Sequence, residues 1–355
     1  MGSRERVLAA LRGEATDRAP VYIDLGGFAA EFQRMGIADP DVHFGVDLKK
    51  VWFVPAAPDA PAAPDPPAAP DAPRVGDEQQ VANYHRWQYY PHRIDTRNPL
   101  VRADSVRDVE AYCMPVVEAE TEVSRLRETI AAHHRRGFAV AGQIPHLGGV
   151  LFETAYRLRG LDNLLEDLRF RPEFAEVLLE RITDAACRNV AQLAACGVDI
   201  VLLGDDIGTP TSMLISPGMW RRWFKPRLGR IIDAARRASP AVAAAYHSDG
   251  FYLPVVEDLI EIGVNILNPV QPDCMDPAAI RRRFGDSLTL WGTVGTATLL
   301  PFASPEAIRR EVRTRLETLG RRRLILGPAY DLEPNVPVEN VLAFFPRRTQ
   351  AGASA

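Results

Sequence analysis

The chain has 355 residues, of which 46% are hydrophobic and 25% charged, and its formal net charge is −4. That is an ordinary globular composition, large enough to bury a core without disulfide or metal staples. The charge balance excludes the overall basic footprint of a nucleic-acid binder, and no run approaches the roughly 20 apolar residues that a membrane helix needs. The four cysteines, Cys113, Cys187, Cys196 and Cys274, are scattered without a C-x-x-C pair, so neither a zinc ribbon nor a disulfide framework is expected. The opening MGSRERVLAALRGEATDRAP is charged throughout and lacks the apolar stretch of a signal peptide. A soluble cytoplasmic protein, with neither nucleic acid nor membrane as partner, is the expectation.

In chain order, Ser3 to Leu11 reads as a helix with Ser3 as its N-cap. Val21 to Leu25 then reads as a strand, with Pro20 at its start, where a missing N–H costs least. Residues 55–75 hold a Pro/Ala/Asp repeat with no apolar period, expected as a flexible, extended loop insertion. An irregular run rich in Tyr, Trp and His follows, from Tyr84 to His92. Strand and helix patterns then alternate. Helices are expected at Val123–His134, Leu161–Leu168, Glu173–Cys196, Leu253–Ile262, Pro277–Phe284 and Pro305–Leu319. Strands are expected at Phe138–Gly142, Val198–Leu203, Ala241–Tyr246, Val264–Leu267, Leu288–Trp291 and Leu324–Leu326. This rhythm means βαβ units and a parallel sheet. No G-x-G-x-x-G follows the first strand, so a dinucleotide-binding sheet lacks its main sign. The predicted fold is α/β: a single (β/α)8 TIM-type barrel over residues 1–346, with an N-terminal elaboration, the Pro/Ala-rich insertion and a tail at 347–355. Barrel sites lie where strands end, in the loops leading into helices.

Four polar clusters fall at such places. Asp205 and Asp206 follow the apolar strand Val198–Leu203, where one can face the mouth while its neighbour caps or braces. His247 and Asp249 follow the next strand; two apart in extended chain, they project to one side and suit proton transfer, metal binding or substrate orientation. Asn268 and Gln271 come after the strand beyond that, with Gln271 a neutral donor and acceptor for substrate. Cys274 is the only cysteine beside such a cluster; packing as a small buried hydrophobe is its plainer reading. Tyr330 follows the last strand, able to offer its phenol to the mouth or to pack beneath the loop. Gln143 and Trp291, at the ends of their own strands, complete the expected substrate-binding set with Asn268 and Gln271.

Together these stretches resemble the uroporphyrinogen decarboxylase superfamily. The resemblance runs through RERVLAALRGEATDRAP, RGLDNLLEDLRFRPEFAEVLL and GVDIVLLGDDIGTPTSMLISPGMWRRWFKPRL. It continues in HSDGFYLPVVEDLIEIGVNILNPVQPDCMDPAAIRRRFGD, WGTVGTATLLPFASPEAIRREV and LEPNVPVENVLAFF, covering nearly the whole chain outside the insertion. The haem-pathway members of that superfamily carry an arginine-rich stretch that grips the propionates of a tetrapyrrole. Here VYIDLGGFAAEFQRMG supplies only Arg34, so uroporphyrinogen itself is not the expected substrate. The chain looks closer to the cobalamin-linked methyltransferase branch. That branch uses a His-x-Cys zinc site with a distant Cys; here His247 stays, the first Cys becomes Asp249, and the second falls near Ala329-Tyr330. The resemblance therefore implies, at most, a zinc site of His247, Asp249 and Cys274, oxygen-rich and with an open position.

Three functions are carried forward. Methyl transfer, with a small-molecule substrate and a corrinoid protein as partner, would use His247, Asp249 and Cys274 to hold a metal or polarise the acceptor, with Asp205 and Asp206 taking a proton. Decarboxylation of a small carboxylic acid would use Tyr330, His247 and the Asp205–Asp206 pair as donor and orienter, without needing a metal. A barrel that binds without catalysis is the third. A homodimer is what the resemblance implies for assembly.

Overall fold

The computed structural model describes residues 1–53, 98–114, 116, 120–285, 287–333 and 335–345. The Pro/Ala-rich tract, the aromatic run at Tyr84–His92 and the C-terminal tail, all singled out in the sequence, lie outside the described residues.

Seven strands form one sheet: β1 Leu48–Trp52, β2 Ala139–Gln143, β3 Ile200–Gly204, β4 Ala243–His247, β5 Ile266–Asn268, β6 Thr289–Trp291 and β7 Leu324–Ile325. They lie side by side in chain order, every neighbouring pair parallel. Parallel neighbours need a crossover, and helices supply it, among them Pro172–Ala195, Lys225–Ala238 and Pro305–Leu319. The expected strand Val21–Leu25 is a correction: it shrinks to one bridge, Val21 to Leu326, so seven strands are seen among the described residues, not eight. That short segment still joins the two edges of the sheet. Tyr22 N donates to Leu326 O, Leu326 N to Pro20 O, and on the other side Asp47 N to Val21 O. Pro20 lacks an N–H, and the chain turns into a 3-10 helix at Gly26–Phe28, which leaves too little extended chain for a longer ladder.

Alternation along the strands sorts two cores. Leu48, Ala139, Ala141, Ile200, Leu202, Ala245, Ile266, Trp291 and Ile325 form one cluster, enclosed by the curl of the sheet. Their neighbours in sequence, such as Val140, Val201, Leu203, Ala244, Tyr246, Leu267 and Leu290, pack outward in a second cluster with the helices. Both faces being buried explains why β3 reads as an unbroken apolar run. Truncating one of these side chains, for example Leu202→Ala, should cost about 2–5 kcal/mol.

Helix boundaries largely follow the expected periodicity, with two differences. The first helix spans Ser3–Arg12 and its N-cap is Gly2, so Ser3 is already inside it. The expected helix at Leu253–Ile262 splits into a 3-10 turn at Leu253–Val255 and an α-helix at Val256–Glu261, with Pro254 inside the turn. No helix among the described residues is long and apolar enough to cross a membrane.

Candidate active site

Parallel strands put all their C-terminal ends on one side, and there Trp52, Gln143, His247, Asn268 and Trp291, each the last residue of its strand, line a cavity of about 330 Å³. Gly204 ends β3 opposite His247 in register, with φ +143°; a Cβ there would collide with the His247 backbone. Only glycine lets the chain leave β3 tightly against β4 at this point.

The adjacent acids after β3 part company. Asp205 is buried, and its Oδ1 accepts from Leu151 N at 2.9 Å and Glu153 N at 3.0 Å, capping the start of the helix Phe152–Arg159. Burial pushes its pKa up to about 7 against the pull of those N–H groups. The structure thus makes Asp205 a brace and corrects its expected catalytic place at the mouth. Asp206 does line the cavity; its Oδ1 accepts from Asp249 N at 2.8 Å and lies 3.8 Å from His247 Nε2.

His247 Nδ1 lies 2.8 Å from Asn268 Oδ1, and Asn268 Nδ2 reaches the Trp291 carbonyl at 3.5 Å. With the amide held that way round, the ring must donate from Nδ1, which turns Nε2 toward the two carboxylates. Burial pulls the His247 pKa down, but Asp206, Asp249 and the Asn268 bond outweigh it, so the net shift is upward. Asp249 is raised to about 6 by burial, with His247 opposing and Asp206 and Asp331 adding to the rise. One ligand atom each from Asp206, His247 and Asp249 falls within 4.8 Å of the other two.

Other expected residues fare differently. Tyr330 and Gln143 line the cavity, as do Asn268 and Trp291. Trp291 packs edge-on to Tyr22, ring centroids 5.1 Å apart. Gln271 does not line it: its Oε1 accepts from Gly250 N at 3.0 Å and fixes the loop behind Asp249. Cys274 stands outside the three-residue group and packs half-buried against the outer core, where burial raises its thiol pKa. Asp206 takes the place expected for that cysteine.

Several cavity residues escaped the sequence reading. Lys50 of β1 holds Asp331 by both oxygens at 2.9 Å and lies 5.2 Å from the Tyr22 ring centre. Burial would raise Asp331, but Lys50 outweighs it and keeps the carboxyl below its ordinary value. Glu153 accepts from Asp206 N at 2.9 Å and from the Tyr156 hydroxyl at 3.1 Å. Its burial, with Asp206 and Asp205 close by, raises its pKa to about 8, which favours the protonated form. His146 is pushed down to about 4, by burial first and then by His247. The signal for Glu153 was its place at a helix start opposite two aspartates, visible only once β2 and β3 are paired.

An N/O/O donor set suits a divalent cation bound by imidazole and carboxylate, and it lacks the soft thiolates of a structural zinc site. The Asn268 bond is the kind of support a metal-bound histidine needs on its other nitrogen. So the residues fit a divalent metal, in a different ligand set from the one expected.

Comparison with known proteins agrees with this architecture. Over 166 residues the chain is 29% identical to the uroporphyrinogen decarboxylase of Thermus thermophilus, covering 46% of this chain and 45% of that protein. Over 173 residues it is 27% identical to the uroporphyrinogen decarboxylase of Christiangramia forsetii, covering 49% and 47%. The matched stretch thus spans about half the length of these curated relatives. Among solved structures, a methyltransferase from Methanosarcina mazei superposes with a TM-score of 0.65 at 18% identity, covering 97% of both chains, which is a likeness of fold. The family described as Uroporphyrinogen decarboxylase (URO-D) matches residues 94–350, well over half the sequence. The chain belongs to the URO-D family.

Proposed function

We propose that this protein is a TIM-type barrel enzyme that transfers a methyl group to or from a small molecule bound in the 330 Å³ cavity. The observation that carries the reading is the convergence of Asp206, His247 and Asp249 at the ends of β3 and β4. The fold likeness to a methyltransferase along nearly the full chain supports it. Zinc or a similar divalent ion, held by those three residues, would supply Lewis acidity to activate the methyl acceptor. Asn268 orients the imidazole, and Asp206 fixes the backbone of Asp249. Glu153 stores a proton beside Asp206, and the Lys50–Asp331 pair sets a fixed dipole on the opposite wall. Trp291 and Tyr330 supply the aromatic lining. A corrinoid protein docking over the mouth is the proposed methyl carrier.

A second reading is decarboxylation of a small carboxylic acid, favoured by Glu153. A carboxyl that holds its proton to about pH 8 can protonate the carbon left when carbon dioxide departs. The curated relatives are named as decarboxylases, of uroporphyrinogen.

The test is metal analysis of the purified chain, then turnover of methylcobalamin with a panel of thiol acceptors, with carbon dioxide release from carboxylic acids measured in parallel. Stoichiometric metal with demethylation of the corrinoid supports methyl transfer. Carbon dioxide release from metal-free protein, without demethylation, overturns it in favour of the second reading.

A further inference from the structure

A second concavity, of about 870 Å³, lies at the other end of the sheet. Its walls come from three stretches: 13–16 after the first helix, 281–287 leading into β6, and 319–323 leading into β7. These precede strands rather than follow them, so the concavity is remote from the cavity at the strand C-termini. Two runs of three arginines, 281–283 and 321–323, meet there, and in sequence the three stretches 13–16, 281–287 and 319–323 contain six arginines against two acids, Glu14 and Asp286. On a chain whose net charge is −4, that is a concentration of positive charge in one hollow.

Helix termini account for part of it. Arg281 to Arg283 form the last turn of Pro277–Phe284, where cations favour the helix dipole. Arg283 is also spoken for by Glu257 at 2.6 Å. The second run follows Gly320, outside any helix. There Arg321 donates to Asp17 O at 2.9 Å and Arg323 to Leu11 O at 3.1 Å. Backbone carbonyls satisfy a donor without cancelling its charge, and the Asp17 carboxylate itself is taken by Arg6 and the N-terminal amine. Arg322 is exposed beside them, and Arg282, 72% exposed, has Asp276 at 3.8 Å as its carboxylate neighbour among the described residues. Gly13, at φ +75°, leaves the space that the Arg323 side chain occupies; a Cβ there would stand 2.9 Å from its Nε.

We propose that this hollow binds a small polyphosphate-bearing anion, remote from the active cavity. Guanidinium forks match phosphate oxygens bidentately, and a concavity of this size lies in the range of small-molecule sites. Nucleoside triphosphates and inorganic polyphosphate share that chemistry. The hollow is independent of the reading of the active site, so either can fail alone.

The experiment is calorimetric titration of the full chain at about 0.15 M ionic strength, where purely exposed charge attraction is largely screened. Inorganic triphosphate, a nucleoside triphosphate and a short DNA duplex are titrated separately, against wild type and the double variant Arg282→Glu/Arg322→Glu. Saturable binding of either phosphate compound below about 1 mM, weakened at least tenfold in the variant, is the expected result. Equal binding of both triphosphates assigns recognition to the phosphates; preference for the nucleoside form adds a base contact. Both substituted side chains are exposed, so the variant should unfold at the wild-type temperature without ligand. No saturable heat, binding unaffected by the substitutions, or binding of the duplex alone overturns the proposal.

Discussion

The two walls of the cavity treat the same carboxyl group in opposite ways. On the wall built by β3, β4 and the helix Phe152–Arg159, Glu153 is raised to about 8, and behind that wall Asp249 is raised to about 6 and Asp205 to about 7, each mainly by burial. On the facing wall Asp331 is held below its ordinary value because Lys50 grips both its oxygens. One wall therefore stores protons and offers ligands near neutrality, while the other keeps a fixed ion pair. The difference comes from what each strand end delivers: β3 and β4 bring acids against acids, whereas β1 brings a lysine against an acid. A cavity so divided can present protons or a metal from one side and orient a polar substrate from the other.

The sharpest way to break this division is His247→Ala. It removes the only imidazole of the three-residue group together with its Asn268 bond. Turnover should fall by about a thousandfold or more, in line with loss of a metal ligand or acid–base group. The unfolding temperature should change little; a large drop would make His247 a core residue instead. Next in size are Asp206→Asn and Asp249→Asn, each keeping shape while removing a charge. Either should weaken metal affinity by about 10–100-fold, read by competition with a chelator, while the Lys50 wall is untouched. Equal metal content in wild type and both variants would remove the metal from this wall.

How much of this was legible beforehand follows the same division. The acid wall was largely readable, because Asp205, Asp206, His247 and Asp249 sit directly after strands whose apolar runs announce them. Even there the sequence was blind to direction. Nothing in Gly204-Asp205-Asp206 says which acid turns to the helix N-terminus, whereas Cys274 packs against the outer core, in keeping with its plainer reading as a small hydrophobe rather than a ligand. The Lys50 wall was not readable at all. In Leu48-Lys49-Lys50-Val51-Trp52 two lysines stand side by side, a pattern that suggests a solvated edge. Alternation sends Lys49 out to Asp41 at 2.7 Å and Lys50 in to Asp331, and that partner lies 281 residues away. The eighth strand failed for a local reason, the turn that begins at Gly26.

Asp205 offers a smaller effect that separates bracing from chemistry. Asp205→Ala should lower stability by about 1–2 kcal/mol, the usual loss for a helix cap, measured as a shifted urea midpoint. If Asp205 acts only through the helix it caps, Asp205→Asn, whose amide oxygen can still accept both N–H groups, should restore most of the stability and most of the turnover. Restored stability with turnover still lost would return Asp205 to the reacting groups.

The smallest expected effect tests the other wall. The Asp331 pKa is lowered in the folded protein, so the pair adds stability that is present above the ordinary carboxyl value of 3.8 and is lost as pH falls through the folded value. In Lys50→Met that pull disappears and burial is left to act, which raises the carboxyl pKa and reverses the slope: stability should then fall as pH rises above about 4. The variant should therefore be less stable than wild type at pH 7, by up to about 1 kcal/mol because the pair is open to the cavity, with the gap closing as the solution is acidified. Urea midpoints between pH 4 and 7 measure it. A gap that stays constant across that range would mean Lys50 contributes its alkyl packing over Tyr22 rather than its charge, and the two walls would no longer differ in the way their carboxyls are held.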